Sequence, residues 1–474
     1  MSVTENRIKN VHFIGIGGVG MSGIARVAKE QGMEVSGSDL RESRYTQQLR
    51  EAGVRIYIGQ KASNLESENP DVVVVSTAIL ENNPELQEAK RREIPIWHRA
   101  KMLAELGRGR RTLAVAGTHG KTTTSSMLAS VIDGMGFDPT FLIGGIVRAY
   151  NSNAHSGKGD YYVVEADESD KSFTYLDPES VLVTNIEADH LDHYEDLNEI
   201  YKLFGDFMSS AHDDGCCVVC GEDKALVEVA RQTGRKVLTY GFSDECDTTV
   251  SDYAVSGVST SFTVTLPNGI ALACRLKQNP GQHNALNAAG VLTLLMTQGF
   301  DVQRAAEVLG DFSGVRRRFD LVGEVGGITI LDDYAHHPTE IAATISAAKS
   351  LDFKRVCVVF QPHRYSRVKL FTEVLKDEFA SAFDQADFVV FMNVYSAGET
   401  PIPGITGATF MQPVLDHVGD TEKLAYIDRR MKLIPYLVDN LTSGDLVITM
   451  GAGDVTGVGP ELLAALQDEE KSKH

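Results

Sequence analysis

The sequence predicts an α/β protein of three domains: a Rossmann-like N-terminal domain, a central P-loop-type mononucleotide-binding domain with added antiparallel strands, and a C-terminal Rossmann-like domain. Three observations predict it. A glycine-rich turn follows the first apolar strand, a glycine–lysine–threonine turn follows a later one, and past residue 320 apolar strands again alternate with helical segments. At 474 residues one core rarely suffices. The expected domains are residues 1–108, 109–319 and 320–474.

In the first domain the strand Val11-His-Phe-Ile runs into Gly15-Ile-Gly17-Gly18-Val-Gly20, with a helix expected from about Met21. Strand, GxGxxG and helix in that order form a nucleotide-binding fingerprint, although GxGxxG alone also fits a plain tight turn. A second strand ends at Asp39, where such folds bind a ribose hydroxyl. A third, Asp71 to Thr77, brings Ser76 and Thr77 to the same carboxyl edge, where ligands gather. The segment Lys101 to Arg111, a short helix and then a Gly/Arg stretch, separates this unit from the next.

The central domain opens with the strand Leu113 to Ala116 and the loop Gly117-Thr118-His119-Gly120-Lys121-Thr122-Thr123. A helix is expected from near Lys121, with Met127, Leu128, Val131 and Ile132 on one face. Phosphate oxygens would meet the unpaired N–H groups and positive dipole end of that helix. Lys121 would add a point charge and the Thr122 hydroxyl would ligate magnesium. The first glycine of the general P-loop is absent, and Val115 stands in its place. Further on, Asp160 to Glu165 reads as a strand that delivers Glu165, Asp167, Glu168 and Asp170. The strand Val181 to Asn185 leads to Glu187, Asp189, His190 and Asp192. Hard oxygen ligands of this kind suit magnesium, which takes one or two protein groups and keeps waters and phosphates for the rest. Glu165 and His190 are the strongest candidates.

Residues Thr248 to Leu276 alternate apolar and polar around Pro267-Asn-Gly269, as antiparallel strands would. The segment from Pro280 then starts a helix in which His283 and Asn287 share one face. They either hold an adenine edge or cap and pack the helix start. Arg316-Arg317-Arg318 is a basic cluster at an expected hinge, reaching phosphates or forming a solvated face.

Strand-like segments beginning at Ile328, Arg355, Phe388 and Asp445 make the third sheet. Polar residues again follow strand ends, which directs Tyr334, His336, Arg364 and Arg367 toward a cleft. His336-His337 reads as loop packing or substrate contact rather than a metal site. The tail from Gln467 is expected to fray.

Acidic residues outnumber basic ones 65 to 45, for a net charge of −20, which disfavours nucleic acid and anionic membranes as partners. No signal core or membrane-length apolar run is apparent, so a cytoplasmic location is expected. Six cysteines make no disulfide framework, and Cys216, Cys217 and Cys220 read as strand packing.

Taken together, Gly15-Ile-Gly-Gly-Val-Gly-Met21, Gly117-Thr-His-Gly-Lys-Thr-Thr123, Glu165-Ala-Asp-Glu-Ser-Asp170, Asn185-Ile-Glu-Ala-Asp-His190, His283-Asn-Ala-Leu-Asn287, Arg317-Arg-Phe-Asp320, Asp332-Asp-Tyr-Ala-His-His-Pro338 and Gln361-Pro-His-Arg364 resemble the motifs of the Mur ligases of bacterial cell-wall synthesis. The resemblance runs over essentially the full length. The first motif and the last two resemble those of the L-alanine-adding branch.

The resemblance implies ATP-dependent amide formation in the cytoplasm, with magnesium. The carboxylate of UDP-N-acetylmuramate attacks the γ-phosphate, and the amine of L-alanine attacks the resulting acyl phosphate. It implies catalytic roles for Lys121, Glu165, His190 and Arg318, and metal ligation by Thr122, Glu165 and His190. ATP contacts would come from the Gly117–Thr123 loop, His283, Asn287, Arg317 and Arg318. UDP contacts would come from Gly17, Gly18, Asp39, Ser76 and Thr77, and L-alanine contacts from Tyr334, His336, Arg364 and Arg367. A homodimer is the one assembly considered, and no carbamylated lysine is expected. Competing readings are a recycling ligase that adds a murein tripeptide, an NAD-dependent oxidoreductase, and an ATP-driven switch. The oxidoreductase leaves the Lys121 loop and the carboxylates without a purpose.

Overall fold

The computed structural model describes residues 8–168, 172–187 and 197–472, and its strands form three sheets. The N-terminal sheet contains β1 (Asn10–Ile14), β2 (Glu34–Asp39), β3 (Arg55–Ile58), β4 (Val72–Val75) and β5 (Ile96–His98). Its order is β3-β2-β1-β4-β5, with every neighbouring pair parallel. The order reverses beside β1, so the glycine turn after that strand lies at the switch point where α/β sheets bind ligands. The helix Val19–Glu30 starts two residues ahead of the expected Met21, because Gly18 serves as its N-cap. It buries Met21, Ile24, Ala25, Val27 and Ala28.

The second sheet contains β6 (Arg111–Ala116), β7 (Thr140–Val147), β8 (Ser152–His155), β9 (Tyr161–Glu165), β10 (Ser180–Val183), β11 (Cys217–Cys220), β12 (Val237–Gly241), β13 (Thr248–Ser256), β14 (Ser259–Thr265) and β15 (Ala271–Leu276). They lie in the order β15-β14-β13-β12-β11-β10-β6-β9-β7-β8. Parallel β10, β6 and β9 form its centre, and their buried Val/Leu/Ala runs are what a sheet covered on both faces requires. Val115 lies fully buried in β6, paired with Leu182 and Glu165. The position of the missing P-loop glycine is therefore internal strand, and the phosphate loop begins only at Gly117. The expected turn near Pro267 is present, closed by Leu266 N–H to Ile270 O and Gly269 N–H to Leu266 O. All six cysteines are free, with Cys216, Cys217 and Cys220 buried in and beside β11, as packing requires.

The third sheet contains β16 (Asp320–Val325), β17 (Ile328–Asp333), β18 (Arg355–Phe360), β19 (Phe388–Met392), β20 (Leu424–Ile427) and β21 (Asp445–Met450), ordered β16-β17-β21-β18-β19-β20. Only β16 runs antiparallel to its neighbour. The segment from Gln467 does not fray at its start. It continues the helix Val458–Ser472, because Leu462 and Leu466 are buried against this sheet.

By compactness the chain forms two units. The first runs to Ser251 and resumes over Thr263–Cys274 and Leu286–Phe312; the second comprises Asp252–Phe262, Arg275–Ala285 and the chain from Ser313 onward. The N-terminal sheet and most of the second sheet lie in the first unit. There Asn153 Nδ2 donates to Val19 O (3.1 Å) and Tyr162 OH donates to Leu103 O (2.9 Å). No helix among the described residues is long and apolar enough to cross a membrane.

Candidate nucleotide and substrate sites

The phosphate loop is built by backbone conformations that only glycine adopts without strain. Gly117 has φ +133° and Gly120 φ +83°, and a Cβ on Gly117 would lie 2.0 Å from Thr184 Oγ1. The helix Lys121–Gly134 follows with Gly120 as N-cap. No side chain caps it and no acid stands in its first turn, so its leading N–H groups are left for an anion. Met127, Leu128, Val131 and Ile132 are all buried, as the spacing predicts.

The loop is braced from β10. Thr184 Oγ1 donates to His119 O (2.5 Å), Asn185 Nδ2 donates to His119 O (3.1 Å), and Asn185 Oδ1 accepts from His119 N (2.8 Å). Thr118 Oγ1 accepts from Glu187 N (2.8 Å), and His119 Nε2 lies 3.6 Å from Glu187 Oε2.

Lys121 is held on two sides. Its Nζ donates to Gly117 O and Thr118 O, and reaches both carboxylate oxygens of Glu168 at 2.7 and 2.9 Å. Burial alone would lower the Lys121 ammonium, but the Glu168 and Asp167 carboxylates outweigh it and hold it above its ordinary range. Burial pushes the Glu168 carboxyl up to about 7 despite the Lys121 charge. Beside this pair Thr122 Oγ1 donates to Glu165 Oε1 (2.9 Å) and Gly144 N–H donates to Glu165 Oε2 (2.6 Å), while burial raises the Glu165 carboxyl. A hydroxyl and a carboxylate side by side at a helix N-terminus are the hard oxygen donors that magnesium takes. His190, with Asp170, Asp189 and Asp192, lies outside the described residues.

In the N-terminal sheet, Gly15 N and Ile16 N donate to Ser38 O (2.8 and 2.9 Å), and Gly17 N donates to Asp39 Oδ2 (2.9 Å). Asp39 thus supports the glycine turn itself. Gly18 is exposed, Ser76 is half-buried and Thr77 is exposed, just beyond β4. Asn287 is buried on the helix Gln282–Thr297, and its Oδ1 lies 3.1 Å from where a Cβ on Gly120 would be. His283 stands exposed at the start of the same helix, its Nε2 3.0 Å from Asn284 Nδ2.

In the second unit Arg317 is locked into the sheet. Its Nε pairs with Asp332 Oδ2 (3.2 Å) and its Nη2 donates to Gly451 O (2.6 Å), on a backbone at φ +62°. Arg318 Nη1 meets Glu340 Oε1 at the longer 3.4 Å, and both guanidinium groups lie over the Tyr334 ring. His336 Nδ1 is 3.1 Å from Tyr334 O and 3.2 Å from Glu340 Oε2. Its ring centroid is 6.1 Å from that of His363, and burial holds the His363 imidazole down at about 3. Arg364, half-buried at φ +69°, and half-buried Arg367 follow directly. Tyr334, His336, Arg364 and Arg367 therefore all belong to the loops after β17 and β18. His337 is the N-cap residue of the helix Pro338–Lys349, its backbone N–H 3.5 Å from Glu340 Oε2.

Sequence reasoning did not single out Glu168 as the partner of Lys121, nor Thr184 and Asn185 as the brace, nor Gly144. The pair Gly144-Gly145 inside a strand pattern was the available signal for the last.

Comparison with known proteins finds three family models matched in order along the chain. Residues 10–111 match the Mur ligase family catalytic domain, 115–295 the Mur ligase middle domain, and 317–453 the Mur ligase glutamate ligase domain. The UDP-N-acetylmuramate–L-alanine ligase of Thermobifida fusca is 44% identical over 477 residues, covering 98% of both chains. That of Geobacter sp. strain M21 is 44% identical over 467 residues, covering 98% of this chain and 99% of its own. Among solved structures, the UDP-N-acetylmuramate–alanine ligase of Thermotoga maritima superposes with a TM-score of 0.79 at 29% identity, over 98% of this chain and 100% of that one. A murein peptide ligase from Psychrobacter arcticus shares the fold, with a TM-score of 0.69 at 24% identity over 96% and 98% of the two chains. Three domain matches in order, with relatives alike from end to end, establish that the chain belongs to the Mur ligase family.

Proposed function

We propose that the protein joins L-alanine to the carboxylate of UDP-N-acetylmuramate at the expense of ATP, through an acyl phosphate, in cytoplasmic assembly of peptidoglycan precursors. The observation that carries the ATP half is Lys121, held by Glu168 and two loop carbonyls at an uncapped helix N-terminus. The substrate half rests on the relatives named above, which carry those substrates in their names over nearly their whole length.

In this reading Gly117–Thr123 cradle the triphosphate, with Lys121 and Arg318 neutralising charge on the transferring phosphoryl group. His283 and Asn287 hold adenine, with Arg317 setting the loop that presents Arg318. Thr122 and Glu165 would hold magnesium, with His190 completing the set on the strength of the family resemblance, and the ion would supply positive charge against the phosphates. Gly17, Gly18, Asp39, Ser76 and Thr77 take the UDP moiety. Tyr334, His336, Arg364 and Arg367 take L-alanine, the arginines offering forked donors to its carboxylate. The domains proposed for these tasks are residues 1–108, 109–319 and 320–474.

The experiment is mass detection of UDP-N-acetylmuramoyl-L-alanine from ATP and the two substrates, with glycine, L-serine and the murein tripeptide as alternative acceptors. L-alanine is expected to be used in preference to all three. Preferred use of the tripeptide would make the chain a recycling ligase, and phosphate release independent of both substrates would reject the ligase reading.

A further inference from the structure

Beneath the glycine turn lies a buried polar cluster that no step above uses. Glu85, fully buried near the start of the helix Pro84–Arg91, sends its carboxylate under the carboxyl edge of the N-terminal sheet. Ser38 Oγ donates to its Oε2 and Asn64 Nδ2 donates to its Oε1 (2.6 Å). His12, also fully buried, places Nε2 3.6 Å from the same Oε1, and its Nδ1 is 2.9 Å from Ser36 Oγ.

We propose that Glu85 is a positioning residue for the sugar nucleotide: it never meets the ligand, but fixes the Ser38–Asp39 backbone from which the glycine turn hangs. Two routes lead from it to that turn. Through Ser38 it anchors the residue whose carbonyl accepts both Gly15 N–H and Ile16 N–H. Through Asn64, which also donates to Gly59 O (3.0 Å), it holds the loop whose Gly59 N–H binds Asp39 O (2.8 Å), and Asp39 in turn carries Gly17 N–H. The whole set from β1, β2 and the β3 loop thus converges on one carboxylate.

Stability does not explain the cluster. Well-packed apolar residues of similar volume commonly match or exceed a buried polar group, whereas an acceptor with fixed donors sets one geometry and excludes others. The turn's own N–H groups are spent on Ser38 O, Asp39 Oδ2 and Gly15 O, so the donors for a diphosphate are those opening the helix Val19–Glu30, and the turn must hold that helix start in a fixed place, because displacing it is a direct loss of ligand contact. The inference rests on the sugar-nucleotide reading of this turn.

The test is calorimetric binding of UDP-N-acetylmuramate, and separately of a non-hydrolysable ATP analogue, to the full chain and to Glu85→Gln, Ser38→Ala and the double variant. Gln replaces one acceptor oxygen by a donor and removes any charge: facing Asn64 its amide meets another donor, and facing Ser38 it reverses the sense of that hydrogen bond, so the two donors no longer share one carboxylate. Glu85→Gln is expected to bind the sugar nucleotide about tenfold more weakly, equivalent to ~1.4 kcal/mol. Its affinity for the ATP analogue and its kcat at saturating sugar nucleotide are expected to stay within about twofold, because those contacts lie elsewhere. Ser38→Ala should weaken binding in the same direction, and the double variant no further than the worse single one. Unchanged sugar-nucleotide affinity in a folded Glu85→Gln protein, or equal loss for both ligands, overturns the proposal; additivity in the double variant overturns the Ser38 route. If Glu85→Gln does not fold, Ser38→Ala decides alone, and wild-type affinity there overturns the proposal. A wild-type chain that fails to bind UDP-N-acetylmuramate overturns instead the reading beneath it.

Discussion

Lys121 Nζ lies 2.7 Å from Glu168 Oε2, and both side chains are nearly buried. The cation meant for a triphosphate is therefore already held by a carboxylate, within a cage completed by Gly117 O and Thr118 O. Nucleotide phosphates must compete with Glu168 for it. Replacing Lys121 by Ala removes the charge and leaves Glu168 buried without its ion-pair partner. Phosphate release should fall on the order of a thousandfold or more. Lys121→Arg should not rescue it, since a planar fork does not fit a cage built round a compact ammonium. Sugar-nucleotide binding, measured in parallel, should stay near wild type, and its loss would count against separate sites.

The same pair makes nucleotide affinity depend on pH. Burial lifts Glu168 from 4.5 to about 7, while Lys121 stays charged throughout. Below that value Glu168 is protonated and its hold on Lys121 weakens; above it the carboxylate competes fully. Affinity for an ATP analogue should therefore fall as the pH rises from about 6 to about 8, and should be flatter in Glu168→Gln. The stability linkage has the same sign. A carboxyl with a raised folded-state value stabilises the fold below its ordinary range, and the contribution is lost as pH rises through about 7. Parallel slopes for the two proteins would exclude Glu168 as the titrating group.

Much of this site is legible in the sequence because it is local. The strand, glycines, lysine and amphipathic helix of Val115 to Ile132 follow one another, and each is where its spacing places it. Asp39 is found from its distance to the glycine turn, although it binds Gly17 N–H directly. What spacing does not reveal is which acid meets which partner. Glu165, Asp167 and Glu168 share one strand end, and only the turn after β9 sends Glu168 to Lys121 and Glu165 to Thr122. The brace from Thr184 and Asn185 and the Gly144 donor come from strands adjacent in the sheet but distant in the chain. Glu85 was invisible for a further reason: on the sequence it is one more acid in a charged helix, and only burial distinguishes it.

Gly117 tests the loop itself. Gly117→Ala adds a Cβ 2.0 Å from Thr184 Oγ1 and 3.0 Å from Thr184 N, on a backbone at φ +133°. ATP-analogue binding should be lost. Thr184→Ala in the same chain should not restore it, since the backbone contact and the disallowed conformation remain, and strain of this kind costs about 1–3 kcal/mol. Restoration by the second substitution would show that side-chain crowding alone shapes the loop.

Arg317 and Arg318 are adjacent in sequence but held differently, and this separates their effects. Arg317 pairs with Asp332, whose carboxylate also accepts from Thr449 Oγ1 (2.8 Å) and Thr456 Oγ1 (2.6 Å), and it donates to Gly451 O. Removing it strips the guanidinium from a buried acid network that joins β17 and β21, a loss of about 3 kcal/mol. Arg317→Ala should therefore lower the melting temperature, with its activity loss following from the unfolded fraction and the displaced neighbour. Arg318 has the longer contact to Glu340 and lies over Tyr334. Arg318→Ala should melt within a few degrees of wild type while kcat falls about a hundredfold or more, as expected of a charge acting on a transferring phosphoryl group. Calorimetry and steady-state phosphate release on both variants check this. A stable, inactive Arg317→Ala beside an unstable Arg318→Ala would reverse the two roles.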